Sequence, residues 1–151
     1  MRRKTHRQPA DPESFSRMLG TYGLKQTPQR MAVHRAMLKL IHADADTVYD
    51  AVVAEGACRI ARSSVYNILS SLADTGIYAR RYSSNGKVMF DINAWRHIHL
   101  YDTANHEFVD IDAPDLLEEV QAFLKGHRFR GYRIEDLDIQ ILCRPTKKKL
   151  L

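Results

Sequence analysis

Residues 77–92 read IYARRYSSNGKVMFDI, and this stretch decides the fold that the sequence predicts. Two runs, residues 77–82 and 87–92, have the character of strands and flank the turn sequence Ser-Ser-Asn-Gly. Asn-Gly is a strong hairpin signal, because both residues adopt the positive φ angles of a tight turn at little cost. The stretch therefore predicts two antiparallel strands joined by a tight turn.

Four short helices are predicted on the N-terminal side of this hairpin. The pairs Asp11-Pro12 and Thr27-Pro28 each place a capping side chain before a proline at the first helical position. Asp44 caps a third helix, and a fourth covers residues 62–74, where Ala61 stands at the capping position. Alanine has no capping oxygen, which costs about 1 kcal/mol at a helix start. Helices followed by a hairpin predict a winged helix-turn-helix, whose last helix enters the DNA major groove.

The sequence after the hairpin predicts a small α/β unit. Strands over residues 97–101 and 107–111 precede a helix over residues 114–125, and a final strand covers residues 137–141. A unit of this size buries little apolar surface alone, so we expect it to associate with a second copy of the chain. The predicted fold class is α+β, with a winged-helix domain over 1–92 that starts with a basic arm (1–11), and a dimerisation domain over 93–151 that ends in a basic tail (145–151).

Charge and cysteine content narrow the class of protein. The 151 residues carry a formal net charge of +5, with basic residues concentrated at both ends. Basic tails are commonly just solvated, but they also give the electrostatic footprint expected of a nucleic-acid binder. No apolar run approaches the roughly 20 residues of a membrane span, and no signal peptide is recognisable, so we expect a cytoplasmic protein. Cys58 and Cys143 belong to no CxxC pair, which argues against a thiolate zinc knuckle.

Residues 90–100 contain a pattern typical of metal sites. His97 and His99 lie two positions apart in a predicted strand, so their side chains point to one face, and Asp91 ends the preceding strand. Two imidazoles with oxygen ligands suit a divalent first-row metal such as iron, manganese or zinc. An HxH sequence by itself is commonly two half-exposed polar side chains, so the hypothesis needs support from other parts of the chain.

Six blocks of sequence resemble the ferric-uptake regulator (Fur) family, in the family's order and spacing. They are GLKQTPQR (23–30), ADTVY (45–49), SVYNILSSL (64–72) followed by Gly76-Ile77, FDIN (90–93), HIH (97–99) and VDI (109–111). The resemblance covers roughly residues 12 to 143. It implies a bacterial transcription regulator, not an enzyme: a homodimer that binds palindromic operator DNA and carries a regulatory metal at the hinge between its domains.

The resemblance also implies the ligands of that metal. The family's five regulatory positions all hold nitrogen or oxygen ligands here, namely His42, Asp91, His97, His99 and Asp110. A mixed nitrogen and oxygen set without thiolate favours Fe(II) or Mn(II), and zinc would fit the same ligands in purified protein.

Departures from the family pattern remove its other metal sites. The paired CxxC motifs are missing, so no structural zinc held by four cysteines is expected, and Arg96, Ile98 and Leu137 replace ligands of an auxiliary site. Residues 106–111 and 131–134 look most like the iron-response regulator (Irr) branch, whereas aspartate at position 110 resembles the peroxide-sensing (PerR) branch. A haem-responsive regulator using His97 or His99 is therefore the alternative to a bare metal ion.

The expected DNA contacts lie on the fourth helix, around the hairpin and at the start of the second helix, and the resemblance implies the first of them. Tyr66 takes the base-contacting position, Asn67 a base or phosphate position, and Ser64 a phosphate position. Tyr66 lies off the apolar stripe of its helix, so we expect it to be exposed. The residues expected to meet phosphates, and so to position the protein rather than to read sequence, are Lys25, Arg30, Arg80, Arg81 and Lys87.

Two other function classes compete with this interpretation. The first is a small metalloenzyme, but no nucleophile–base pair or phosphate-binding glycine loop appears, and five protein ligands would leave the metal little open coordination. A storage or interaction module for metal or haem would not need the fourth-helix block or the basic charge. The sequence leaves open the physiological metal and whether iron, haem or peroxide is sensed.

Overall fold

The computed structural model describes residues 9–147 and divides the chain into two compact units, one ending at Ala94 and the other beginning at Trp95. The predicted boundary lies two residues earlier, after residue 92. Most of the basic arm, and Lys148 and Lys149 of the tail, fall outside the described residues. Within residues 9–147, no helix combines the length and the apolar character needed to cross a membrane.

The helices of the first unit begin where the capping residues predict. They are α1 (Pro12–Thr21), α2 (Pro28–Leu40), α3 (Ala45–Glu55) and α4 (Arg62–Asp74). Asp11 accepts a hydrogen bond from the Ser14 amide at 2.7 Å, and Asp44 accepts one from the Thr47 amide at 2.8 Å. Such bonds satisfy amides that the first helical turn leaves unpaired. Ala61 precedes α4 and, among the described residues, no side chain caps this helix.

The apolar faces of these helices pack into one core. Phe15, Val33, Met37 and Leu69 are all fully buried, and Phe90 from the hairpin closes the same core. Burial of this kind, rather than helix propensity, holds short helices together in water.

A three-stranded sheet completes the first unit, in the order β1 (His42–Ala43), β3 (Val88–Asp91), β2 (Ala79–Tyr82). The hairpin β2–β3 confirms the prediction from Asn-Gly. Strand β1 was not predicted, because two residues carry no periodic pattern. The backbone enters it through Ile41, which has φ 62° and ψ −55° and so lies in a region that β-branched residues rarely adopt. The amide of Ile92 donates to the carbonyl of Ile41 at 3.1 Å, which fixes this sharp change of direction.

The second unit is an α/β unit with a second three-stranded sheet. Its elements are β4 (Ile98–Asp102), β5 (Glu107–Ile111), α5 (Pro114–Lys125) and β6 (Ile139–Cys143), with the strand order β5–β4–β6. Strand β6 runs parallel to β4 and begins two residues later than predicted, because its pairing starts at Ile98 with Ile139. The amide of Leu137 instead donates to the side chain of Asp136 at 2.8 Å.

Helix α5 contributes no buried residue to the described part of this unit. Leu116 and Phe123 are exposed on it, and Leu142 on β6 is exposed as well. The second unit therefore presents an apolar surface that its own residues leave uncovered. The α+β architecture of the two units confirms the predicted fold class.

Candidate functional site

Strand register brings His42 and Asp91 together in the first unit. The two residues are direct partners in the antiparallel pairing of β1 with β3. The Nε2 atom of His42 lies 3.5 Å from Oδ2 of Asp91, and both side chains are shielded from solvent. The other carboxylate oxygen of Asp91 accepts a hydrogen bond from the Asn93 amide at 2.8 Å, which orients the carboxylate. We call this pair the dyad.

Two imidazoles and a carboxylate converge in the second unit. The Nε2 atoms of His97 and His99 lie 3.1 Å and 3.0 Å from the same Oδ1 atom of Asp110. His99 and Asp110 are direct partners in the pairing of β4 with β5, and His97 stands just before β4. His99 is fully buried against the edge of the Phe108 ring. We call these three residues the triad.

A backbone contact fixes the tautomer of His97. Its Nδ1 atom lies 2.6 Å from the carbonyl oxygen of Trp95. A carbonyl only accepts hydrogen bonds, so Nδ1 donates, and the lone pair of a neutral imidazole is then on Nε2. That lone pair points to the carboxylate oxygen of Asp110, an arrangement that a cation stabilises. Metal-binding histidines commonly donate their second ring nitrogen in this way.

The dyad and the triad both fit a divalent metal ion. Each consists of imidazole nitrogens and carboxylate oxygens, and the ligand atoms within each group lie less than 4.8 Å apart. Such ligands suit iron, manganese and zinc in their divalent states.

The exposed side of α4 carries the predicted base-contacting residues. Tyr66 is 51% exposed and packs edge-on against Phe90, with ring centroids 6.3 Å apart. Asn67 beside it is exposed, and Ser64 is half-buried. A shallow cleft of about 470 Å³ is lined by Tyr66, Asn67 and Lys87, among others. The exposure of Tyr66 agrees with the prediction from the apolar stripe.

Residues 21–141 of this chain match the model of the ferric uptake regulator family. The chain belongs to the ferric uptake regulator family. It is 30% identical over 97 residues to the peroxide-responsive repressor PerR of Staphylococcus aureus. That match covers 64% of this chain and 65% of the relative, so the chain spans just under two thirds of the length of this curated relative.

Two solved structures share the fold of this chain. The peroxide stress regulator of Campylobacter jejuni is 28% identical, with a TM-score of 0.67 over 88% of this chain and 97% of that one. The ferric uptake regulator of Vibrio cholerae is 21% identical, with a TM-score of 0.70 over 87% of this chain and 99% of that one. The suspected family is thus confirmed, together with its fold.

The basic residues expected at phosphates in a Fur-family protein mostly have acidic or carbonyl partners here. Lys87 lies 2.9 Å from Asp44, and this hydrogen bond raises the pKa of Lys87, so its charge is retained. Arg80 lies 2.8 Å from Asp74. To bind a phosphate, Lys87 and Arg80 would therefore have to exchange their carboxylate partners for the phosphate.

Lys25 and Arg30 stand together at the start of α2. The Lys25 side chain is exposed, and Arg30 is half-buried with Nη1 donating to the Lys25 carbonyl at 2.6 Å.

Arg81 requires a correction. The sequence placed it with Arg80 at the phosphates, but its side chain is buried and only 5% of the residue is exposed. Its Nε atom lies 3.5 Å from Oδ2 of Asp91, so it contacts the dyad instead of solvent. The register of the hairpin explains the error. Ala79 lies opposite Asp91, and Arg81 follows two residues later in the same strand. The side chain of Arg81 therefore lies on the same face of the sheet as Asp91 and reaches it diagonally.

Proposed function

We propose that this chain is a metal-dependent, dimeric transcription regulator that binds palindromic operator DNA. In this proposal His42, Asp91, His97, His99 and Asp110 hold one Fe(II) or Mn(II) ion, which controls the affinity for DNA. The observation that carries the proposal is the convergence of His97 and His99 on Asp110, with Nε2 of His97 left as the lone-pair nitrogen.

The ion would supply positive charge that neutralises Asp91 and Asp110 and holds the imidazoles in fixed directions. Because the proposed ligands come from both units of the chain, ion binding would couple the state of the second unit to that of the first. Imidazole and carboxylate bind a metal only after losing their protons, so protons compete with the metal for these ligands.

The proposed DNA-binding surface is the exposed face of α4 with the hairpin beside it. Tyr66 and Asn67 would meet base edges, while Ser64, Lys25, Arg30, Arg80 and Lys87 would position the protein on phosphates. The 51% exposure of Tyr66 supports this assignment, because about half of the residue is accessible to a ligand.

Dimer formation through the second unit is supported by the uncovered apolar side chains of α5 and β6. Exposed apolar residues such as Leu116, Phe123 and Leu142 are the kind of surface that a second copy of the chain would cover. A two-fold dimer would present two α4 helices to half-sites about one helical turn apart, which is the reason to expect a palindromic operator.

The signal that we propose is iron status or peroxide. Relatives named as a peroxide-responsive repressor and a peroxide stress regulator support the second of these. In the iron-loaded protein, peroxide would transfer one oxygen atom to a ring carbon of His42 or His97, with its O–O bond broken and the second oxygen leaving as water, whereas the manganese-loaded protein would resist. Mass spectrometry of the peptides that contain these histidines, before and after peroxide, tests this point. The haem alternative has weaker support, because His99 is completely shielded from solvent.

The direct test joins metal binding to DNA binding. DNA selected from a random pool with manganese-loaded protein is labelled, and its affinity is measured by fluorescence anisotropy with and without Mn(II). We expect Asp110→Asn and His99→Ala to abolish both Mn(II) binding and its effect on DNA affinity. Asp136→Asn removes a surface carboxylate that pairs with Arg96 at 3.3 Å, and it is the matched control. Full Mn(II) response in the Asp110 and His99 variants would refute the ligand assignment.

A second arm of this experiment tests the DNA surface. Tyr66→Ala should lose preference for the selected sequence over random DNA by roughly 10-fold or more, as for other lost base contacts. Arg80→Ala should weaken binding to both DNAs and lower the log–log salt slope by about 1. Unchanged selectivity in Tyr66→Ala would mean that α4 does not read the bases through this residue.

A further inference from the structure

Arg81 places a permanent positive charge next to a proposed metal ligand. The residue lies in β2, where it pairs with Met89 of β3, and its side chain is buried. Arginine stays protonated at every pH at which the protein is folded. A buried charge is costly unless an opposite charge is close, and Asp91 supplies that charge.

The guanidinium and the proposed metal share one oxygen atom. Oδ2 of Asp91 lies 3.5 Å from Nε of Arg81 and also 3.5 Å from Nε2 of His42. The other oxygen, Oδ1, is engaged by the Asn93 amide at 2.8 Å. An ion held by both His42 and Asp91 would therefore use the oxygen that faces Arg81.

We propose that Arg81 is the internal counter-cation of Asp91 and that it lowers the affinity of the site for divalent metal. The inference rests on the proposed function, in which Asp91 is a ligand. Without metal, Arg81 neutralises the buried carboxylate. When a divalent ion arrives, it meets a fixed positive charge a few ångströms away, and repulsion at that range weakens binding by about 10- to 100-fold. Arg81 is thus a positioning residue that sets the metal concentration at which the regulator responds.

The test compares Mn(II) affinity in four full-length proteins by competition with a fluorescent chelator: wild type, Arg81→Gln, Arg81→Lys and Arg35→Gln. Arg81→Gln should bind Mn(II) about 10- to 100-fold more tightly than wild type, and Arg81→Lys, which retains the charge, should stay within about threefold of it. Arg35→Gln removes the same charge from the ion pair with Glu55, which lies outside the dyad, and should leave the affinity unchanged. A residue that merely supported the fold would give the opposite result, since its loss would weaken metal binding.

The inference is overturned if Arg81→Gln binds Mn(II) no more tightly than wild type does. It is also overturned if Arg81→Lys binds Mn(II) as tightly as Arg81→Gln is expected to. Should Arg81→Gln not fold without metal, Arg81→Met keeps the apolar stem without the charge and supplies the same comparison. Wild-type protein that binds no Mn(II), or binds it equally well as Asp91→Asn, would instead overturn the proposed metal site. The two failures are therefore distinguishable.

Discussion

Helices α4 and α5 have nearly the same length, 13 and 12 residues, and pack in opposite ways. Val65, Leu69 and Leu72 of α4 are completely buried within the first unit, whereas no residue of α5 is buried in the described chain. The first unit therefore buries the apolar side chains of α4 by itself. The second unit has an apolar surface of the kind that a partner covers, so its stability should depend on protein concentration.

The largest expected effect that tests this contrast is a truncation in the core of the first unit. Leu69→Ala removes a fully buried side chain, and we expect it to lower the free energy of unfolding by about 2–5 kcal/mol at any protein concentration. Leu116→Ala, on the exposed face of α5, should cost much less in dilute protein. Urea denaturation followed by circular dichroism measures both. Equal losses in dilute solution would show that α5 is packed as firmly as α4.

A smaller effect is expected at the proposed dimer surface. Phe123 is 58% exposed, and Phe123→Ala should weaken dimer association by roughly 10- to 30-fold, as is usual for an aromatic anchor at an interface. Sedimentation velocity over a dilution series measures this constant, with Lys125→Ala on the same helix as control. A wild-type chain that stays monomeric at micromolar concentration while binding its selected DNA would contradict the dimer.

The two units also differ in how they hold a histidine outside the proposed metal site. His34 in α2 is buried, stacks on Phe15 with ring centroids 3.8 Å apart, and contacts the Tyr78 hydroxyl at 2.7 Å and the Ala10 carbonyl at 2.6 Å. Burial lowers the pKa of His34, although the contact with Ala10 opposes that shift. His127, at the end of α5, is exposed.

The smallest expected effect is therefore a pH dependence of stability specific to His34. Because its pKa is lower in the folded chain than the unfolded value of 6.5, the neutral ring stabilises the fold fully above pH 6.5. That contribution is lost as pH falls below 6.5, where the unfolded chain takes up a proton first. His34→Phe should reduce the loss of stability in acid, and His127→Gln should not. If the free energy of unfolding falls equally with decreasing pH in wild type and His34→Phe, the His34 ring does not contribute to the pH dependence of stability.

Capping residues and turn chemistry made most of the fold predictable. Asp11, Thr27 and Asp44 each cap the helix that they predicted, since a capping oxygen acts on its own neighbours. Asn-Gly likewise placed the hairpin. Local signals of this kind need no knowledge of the rest of the chain.

Two of the proposed metal ligands, His42 and Asp110, were identifiable only through the family resemblance, whereas the spacing of His97 and His99 after Asp91 indicated the other three. His42 pairs with Asp91 through a strand of two residues that no periodic pattern reveals. Arg81 was misjudged for a related reason. Arginine on a hairpin is usually solvated, and its burial here follows from the register of β2 against β3, which depends on tertiary packing.

The sharp bend at Ile41 bears on the kinetics of the dyad. A β-branched residue at positive φ is strained by about 1–3 kcal/mol, and such strain persists only where the surroundings enforce it. His42 follows directly, so its ring is oriented by the folding of the first unit before any ion arrives. A ligand that is already in place loses little conformational entropy on binding, so the rate of capture at His42 would be governed by dehydration of the ion rather than by closure of a loop.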